Sequence, residues 1–319
     1  MVLLLFLLTM AVFVLFNMLP FDPARLTCGK VCTPQLLEAN RHRLGFDLPP
    51  VQQYLNFIAG IFNGRTFAAD TARPIQCAAP CLGYSFLKHS DVTSMIARAL
   101  PVTFWLTIGG FVVWITIGLI GGIVAALRRG RWQDRSLMTL ALIGYSMPSF
   151  FIGLVLIFFV VLQWHWLDFP HFVSPFEDPG RFLSTMILPW TVIAILNAAF
   201  YVRLTRNQVL ETFSEDYVRT ARAKGLPERT VVVKHALRAG LTPIVTAAGL
   251  DIAGLLGGAI ITESIFSLPG MGSLSVNSVT TSDLPVITGV VLVAGAFIIV
   301  MNLIVDLLYG VLDPRVRIT

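Results

Sequence analysis

Charge is scarce in this chain. Only 13% of its 319 residues are Asp, Glu, Lys or Arg, where a soluble domain carries about 25%. That shortage, with 55% hydrophobic residues and a mean hydropathy of +0.77, excludes a soluble globular protein and a disordered one. Histidine is scarce too, with five in all, and no His/Cys/Asp/Glu constellation recurs at catalytic spacing within the apolar segments, which argues against an enzyme. There is no Gly-x4-Gly-Lys-Ser/Thr loop, so the chain carries no recognisable nucleotide site of its own. No low-complexity stretch and no clear internal repeat is present. The lack of inverted repeats with broken midplane helices argues against a stand-alone secondary transporter. The net charge is +5, but the placement of the basic residues speaks for membrane topology and not for nucleic-acid binding.

What is present is apolar length. About 20 apolar residues can span a bilayer as a helix. Six windows qualify: the start to about Pro20, Ala99–Leu127, about Ser136–Trp164, about Phe182–Val202, Leu241–Ile261 and about Leu284–Leu312. The expectation is an all-α integral membrane protein with six transmembrane helices. Val51–Phe62 is too short and too polar for a seventh and reads as a surface helix. The first window lacks a basic flank and a small-residue cleavage site, so it reads as a retained span, with a native start expected a few residues upstream. The domains are then residues 1–20 as the first span, 21–98 as a large external segment, 99–312 as a five-helix core that includes a cytoplasmic loop at 205–240, and 313–319 as a cytoplasmic tail.

Orientation follows from the basic residues. Segments 128–135, 203–238 and 315–317 hold four, eight and two of the 23 lysines and arginines. Those segments are expected in the cytoplasm, together with both termini. The four cysteines, Cys28, Cys32, Cys77 and Cys81, all fall in the external segment, where disulfides persist. Three pairings are open. Free thiols and a metal site are the alternatives, although Cys-x3-Cys is not a common zinc spacing.

The most informative stretch is Ser214-Glu215-Asp216-Tyr217-Val218-Arg219-Thr220-Ala221-Arg222-Ala223-Lys224-Gly225. It predicts a short charged helix between two apolar segments. Ser214 is placed to cap it, Glu215 and Asp216 sit at the positive end of its dipole, Lys224 at the negative end, and Gly225 supplies a left-handed stop. A second helix can start at Pro227. Such a helix is not needed to join two spans and is expected to be presented to a partner. The bland alternative is a solvated basic loop.

Asp251 is the one acidic residue deep in a window. It has three readings: lining a pathway for a cationic group, a structural bond to another helix, or a proton relay. Asn302 and Asp306 share a face of the sixth window. Gly118-x3-Gly122 and Gly254-x3-Gly258 fit the small-x3-small pattern of close helix contact. Pro148 is expected to kink the third window.

The stretch Tyr217–Pro243 resembles the cytoplasmic coupling loop of binding-protein-dependent ABC importers, whose consensus is Glu-Ala-Ala-x3-Gly-x9-Ile-x-Leu-Pro. Arg219-Thr220-Ala221, Gly225 and His235-Ala236-Leu237-Arg238 occupy its positions. The missing acidic residue and final proline are similar to the dipeptide/oligopeptide branch. So are Leu19-Pro20-x-Asp22-Pro23, Leu44-Gly45-x-Asp47-Leu48-Pro49 with Gln53-Tyr54-Leu55, Leu100-Pro101-Val102-Thr103, Glu263 to Gly272 as an external hairpin, and Val305 to Tyr309 with Leu312-Asp313-Pro314-Arg315.

The resemblance implies a permease subunit of an ATP-driven importer of di- or oligopeptides. A nickel chelate or another small solute is the alternative cargo. Implied partners are a second, homologous permease, two cytoplasmic ABC ATPases that grip residues 214–225, an external substrate-binding protein, a peptide substrate and the lipid bilayer of the plasma or inner membrane. ATP and Mg are implied on the ATPases, with no cofactor on this chain. Tyr217 and Val218 are expected to anchor in the ATPase cleft, and Arg219, Arg222 and Lys224 to meet acidic groups there.

Overall fold

The computed structural model describes residues 2–17, 32–44, 47–67, 74–227, 230–232 and 238–312. The fold is mostly helical. α1 (Val2–Asn17) is apolar all round, and most of its large side chains are exposed, as lipid contact requires. α2 (Pro34–Leu44) and α3 (Pro50–Asn63) follow. α3 opens with a proline at a first-turn position, where the missing N–H costs nothing. It is amphipathic. Its Phe57 is buried with Val12 and Leu292, and Tyr54 sits between the rings of Phe6 and Phe13. The expected surface helix is thus packed against α1.

Two short antiparallel hairpins complete the expected external segment: β1 (Arg65–Phe67) with β2 (Ile75–Cys77), and β3 (Tyr84–Ser85) with β4 (Ser90–Asp91). Arg65 pairs with Cys77 in register, and its guanidinium lies 5.5 Å from the Phe57 ring and 5.0 Å from that of Phe67. Such cation–aromatic contacts let a cation sit against apolar surface. The hydroxyl of Ser85 donates to the buried Asp283 carboxylate and so ties this layer to the far end of the chain.

The centre of the molecule is a pair of 36-residue helices, α4 (Val92–Leu127) and α7 (Pro179–Ser214). A Cβ added at Gly118 would lie 2.4 Å from Tyr201 Cβ, and one at Gly122 would lie 2.5 Å from Thr205 Cβ. These glycines let the two backbones approach, as the small-x3-small spacing predicts. Leu106 and Trp114 of α4, with Met186, Val192 and Tyr201 of α7, fill the core between them.

The third window is not one helix. α5 (Trp132–Ser146) and α6 (Ser149–Leu156), which continues as a π-helical stretch over Ile157–Gln163, meet at 98°. Proline disfavours helical backbone in the residue before it, and Met147 accordingly adopts φ −89°, ψ 131°. The expected kink at Pro148 is therefore a full break.

α8 (Asp216–Ala223), α9 (Arg238–Leu256), α10 (Ile260–Ile265), α11 (Met271–Thr280) and α12 (Leu284–Leu312) complete the chain. α9 stops five residues short of the fifth window. Gly258, at φ +133°, turns the chain, and a Cβ there would meet Gly272 Cα at 2.7 Å. Among the described residues Gly254 faces nothing within 4 Å, so Gly254 brings no second helix close there. Among the described residues α4, α7 and α12 are long and apolar enough to cross a bilayer, and the α5–α6 pair has the length and composition for a fourth when its two halves count as one broken span. α1 and α9 are apolar but shorter.

Candidate functional site

The site begins where α7 leaves the apolar core. Residues 203–214 are polar, yet the helix continues through them because Thr205, Val209 and Thr212 remain buried along one side. Its last hydroxyl, on Ser214, donates 2.6 Å back to the Glu211 carbonyl. Ser214 is therefore the end of α7 and not the cap of α8, a correction to the sequence reading. Glu215 takes the capping position in extended backbone (φ −70°, ψ 143°) without a side-chain cap bond. A single residue separates α7 from α8.

α8 has two faces. Val218 and Ala221 are buried and pack with Val231 and Phe213. Val218 is thus held inside this chain and is not free to anchor in a partner, which corrects the expected pairing of Tyr217 and Val218. Tyr217 is exposed, as are Asp216, Arg219, Thr220, Ala223 and Lys224. Arg222 stacks at 4.9 Å over Phe213, and Arg219 lies 3.8 Å from Asp216 one turn earlier. Gly225 has φ +74°, and among the described residues no atom lies within 4 Å of a Cβ placed on it, so the constraint seen there is backbone conformation. The chain turns again at Pro227, whose carbonyl accepts from the N–H groups of Thr230 and Val231. His235, Ala236 and Leu237 lie outside the described residues.

One turn and a half before the end of α7's core-facing stretch, Arg206 reaches the first turn of α5. Its Nε donates 2.6 Å to Asp134 Oδ1 and its Nη2 donates 2.9 Å to Oδ2. The Gly130 N–H adds a third bond to the carboxylate at 2.9 Å. Asp134 is buried, and the guanidinium bond holds its carboxyl below the usual carboxylate range. The sequence reading assigned no role to this pair.

Two further carboxylates lie among the helices. Asp251 of α9 accepts a 2.6 Å bond from the Tyr201 hydroxyl of α7, so the helix-to-helix bond is the reading its geometry meets. Glu263 of α10 is fully buried. Its Oε1 accepts from the Thr103 hydroxyl of α4 at 2.7 Å, and its Oε2 accepts from the Ser273 N–H of α11 at 2.8 Å. The Met271 N–H donates 2.8 Å to that same Thr103 oxygen. A Cβ on Gly270 would meet Glu263 Cδ at 2.4 Å, which gives the Pro269-Gly270-Met271-Gly272 sequence its physical reason. Both Thr103 and Glu263 stand in motifs visible in the sequence, but only the fold brings them together. Asn302 and Asp306 are exposed on α12.

Cys77 and Cys81 are joined by a disulfide and buried, and Cys32 is disulfide-bonded as well. Cys28 lies outside the described residues.

Comparison with known proteins bears on this arrangement. Residues 118–318 match the family described as binding-protein-dependent transport system inner membrane component, and residues 1–107 match the N-terminal part of such membrane components. A putative peptide transport system permease of Brucella abortus is 36% identical over 96% of this chain and 92% of its own length. The di/tripeptide transport system permease DppB of Pseudomonas aeruginosa is 35% identical, over 97% and 94%. The glutathione transport system permease GsiC of Escherichia coli is 37% identical, over 98% and 94%. Among solved structures, an inward-facing form of the methionine ABC transporter MetNI superposes with a TM-score of 0.55 at 18% identity, covering 69% of this chain and 97% of the other. A second form gives 0.56 at 20%, covering 70% and 98%, and both likenesses concern the fold alone. With a helical membrane fold, a short helix with an exposed face at the end of one of its two 36-residue helices and both family matches in order, this chain belongs to the binding-protein-dependent inner membrane components, the permeases of ABC importers.

Proposed function

We propose that this chain is the pathway-forming permease of an importer of di- and oligopeptides, working as a pair with a second, homologous permease. The observation that carries the coupling part is α8: a helix seated on its own chain through Val218 and Ala221, with Tyr217, Arg219 and Lys224 turned outward. The peptide cargo rests on near full-length relatives named as peptide, di/tripeptide and glutathione permeases.

In this reading the six apolar windows are spans, and the basic segments 128–135 and 203–238 face the cytoplasm. Two ATPases hold the exposed face of α8, bind the ATP and Mg, and do the hydrolysis. An external binding protein delivers peptide to the opposite side. No cofactor belongs to this chain. Asp251 and Tyr201 join α7 to α9, the two helices that flank α8 in sequence, so a pull on α8 reaches both. That carboxylate is the candidate contact for the amino terminus of a passing peptide.

The test is purification of the chain with its genomic neighbours in mild detergent, followed by reconstitution into liposomes. ATP-dependent uptake of a labelled tripeptide, stimulated by the binding protein, is the expected result. Copurification of the ATPases with transport of a non-peptide solute only would overturn the cargo. Absence of any ATPase from the purified complex would overturn the machine.

A further inference from the structure

The α4–α5 junction carries four arginines, Arg128, Arg129, Arg131 and Arg135, all exposed. The acidic residue among them, Asp134, is turned inward and occupied by Arg206 and the Gly130 N–H. The outer surface of the junction is therefore cationic with no carboxylate of its own to neutralise it. Beside it lies an open groove of about 640 Å³ lined by Gly130, Trp132, Arg135, Ser136, Thr139 and Leu140.

From Trp132 onward these positions fall at i, i+3, i+4, i+7 and i+8, one face of α5. The face is graded. Arg135 and the Ser136 and Thr139 hydroxyls stand at its start, and Leu140 (64% exposed), Ile143 (48%) and Met147 (40%) extend it towards the apolar break at Pro148. Trp132 is 73% exposed at the head of the groove. An exposed tryptophan at the polar end of an apolar helix face suits the headgroup level of a bilayer. Basic grooves at such a level recognise anionic lipid headgroups.

We propose that this groove is a binding site for one anionic phospholipid, its phosphate held by Arg135 with the neighbouring arginines, its glycerol against Ser136 and Thr139, and one acyl chain laid along Leu140, Ile143 and Met147. A soluble anion would use the arginines but not the exposed apolar continuation of the same face, which is why a lipid is the occupant. The site stands on membrane insertion alone and is independent of cargo and of which side the junction faces. Because Asp134 is the residue before Arg135 and ties this junction to α7, lipid occupancy sits next to the path from the membrane to α8.

The test is native mass spectrometry of the assembled complex, exchanged into detergent with either dioleoyl-phosphatidylglycerol or dioleoyl-phosphatidylcholine. The expected result is retention of phosphatidylglycerol at one site per copy of this chain and at least a fivefold loss of that occupancy in Arg135→Gln/Trp132→Ala. Arg181→Gln, an exposed arginine at the start of α7, should leave it unchanged. Equal retention of the two lipids, or a double variant that keeps its phosphatidylglycerol, would overturn the site. Displacement of the lipid by an equal concentration of inorganic phosphate would assign the groove to a free anion and overturn the lipid assignment. Quenching of Trp132 fluorescence by bromine-labelled phosphatidylglycerol, read as the difference between the native complex and Trp132→Phe, checks the position without relying on the double variant. Its absence counts against the proposal.

Discussion

Thr103 ties three helices together through one hydroxyl. Its hydroxyl accepts from the Met271 N–H and donates to Glu263, so one oxygen joins α4, α10 and α11. Thr103→Val keeps the shape and removes both bonds. A buried amide and a buried carboxylate each lose a partner, at roughly 1–3 kcal/mol apiece. Thermal unfolding of the purified complex should show a clear fall in Tm, and an unchanged midpoint would mean the carboxylate finds other partners. Asp251 behaves differently. It is only partly buried and shares one bond with Tyr201, so Tyr201→Phe should cost about 1 kcal/mol. The sequence marked Asp251 as a buried charge and Glu263 only as the first residue of a hairpin motif. Depth in an apolar window is a visible cue, whereas burial of Glu263 is created by the turn at Gly258 and the packing of α11 over it.

At the scale of elements, the α5–α7 tie is the one most open to titration. Asp134 carries a carboxyl held below its ordinary value, chiefly by the Arg206 bond, so folding gains stability from its charged form. For a depressed acid that gain is present above the unfolded value, about 3.9 for Asp, and is lost as pH falls through the lower folded value. Stability of the wild-type complex should therefore show no contribution from this pair to pH dependence between about pH 5 and 8, and a loss below about pH 4. Arg206→Ala should cost about 3 kcal/mol at neutral pH, because it leaves a buried carboxylate without its cation, and should flatten the acid loss. A variant with wild-type midpoints at pH 7 would show that α5 is not held to α7 by this pair.

Much of the element map was legible. Unbroken apolar length found α4, α7 and α12, and Gly118-x3-Gly122 found a close approach of α4 to α7, because both depend on local sequence. The extension of α7 to Ser214 was not legible. Its outer face is as charged as a loop, and only the buried positions Thr205, Val209 and Thr212 keep it helical. The same extension displaced Ser214 from its expected capping role and moved Val218 from partner contact to internal packing.

Across the whole molecule, the coupling role proposed for α8 depends on its continuity with α7. Thirty-six helical residues at 1.5 Å each make a rod of about 54 Å, long enough to cross the hydrocarbon and emerge well beyond it. α8 follows after one extended residue, and its buried face is clamped to Phe213 at the end of the same rod. Movement imposed on the exposed face of α8 is therefore passed to α7 without a flexible loop, and through Tyr201 and Asp251 to α9. Two glycines inserted between Ser214 and Glu215 would keep both helices and all apolar faces intact while loosening that joint. Membrane levels should stay normal. Binding-protein-stimulated uptake should fall at least tenfold, with ATP hydrolysis continuing at a rate no longer set by substrate. Gly225→Val should produce a milder version, since a β-branched residue at φ +74° strains the end of α8 by roughly 1–2 kcal/mol without a steric clash. The same insertion in the loop after Ser174, remote in sequence from α8, should have little effect. Full uptake by the Ser214–Glu215 insertion would show that α8 does not transmit the stroke and that residues 214–225 only carry charge.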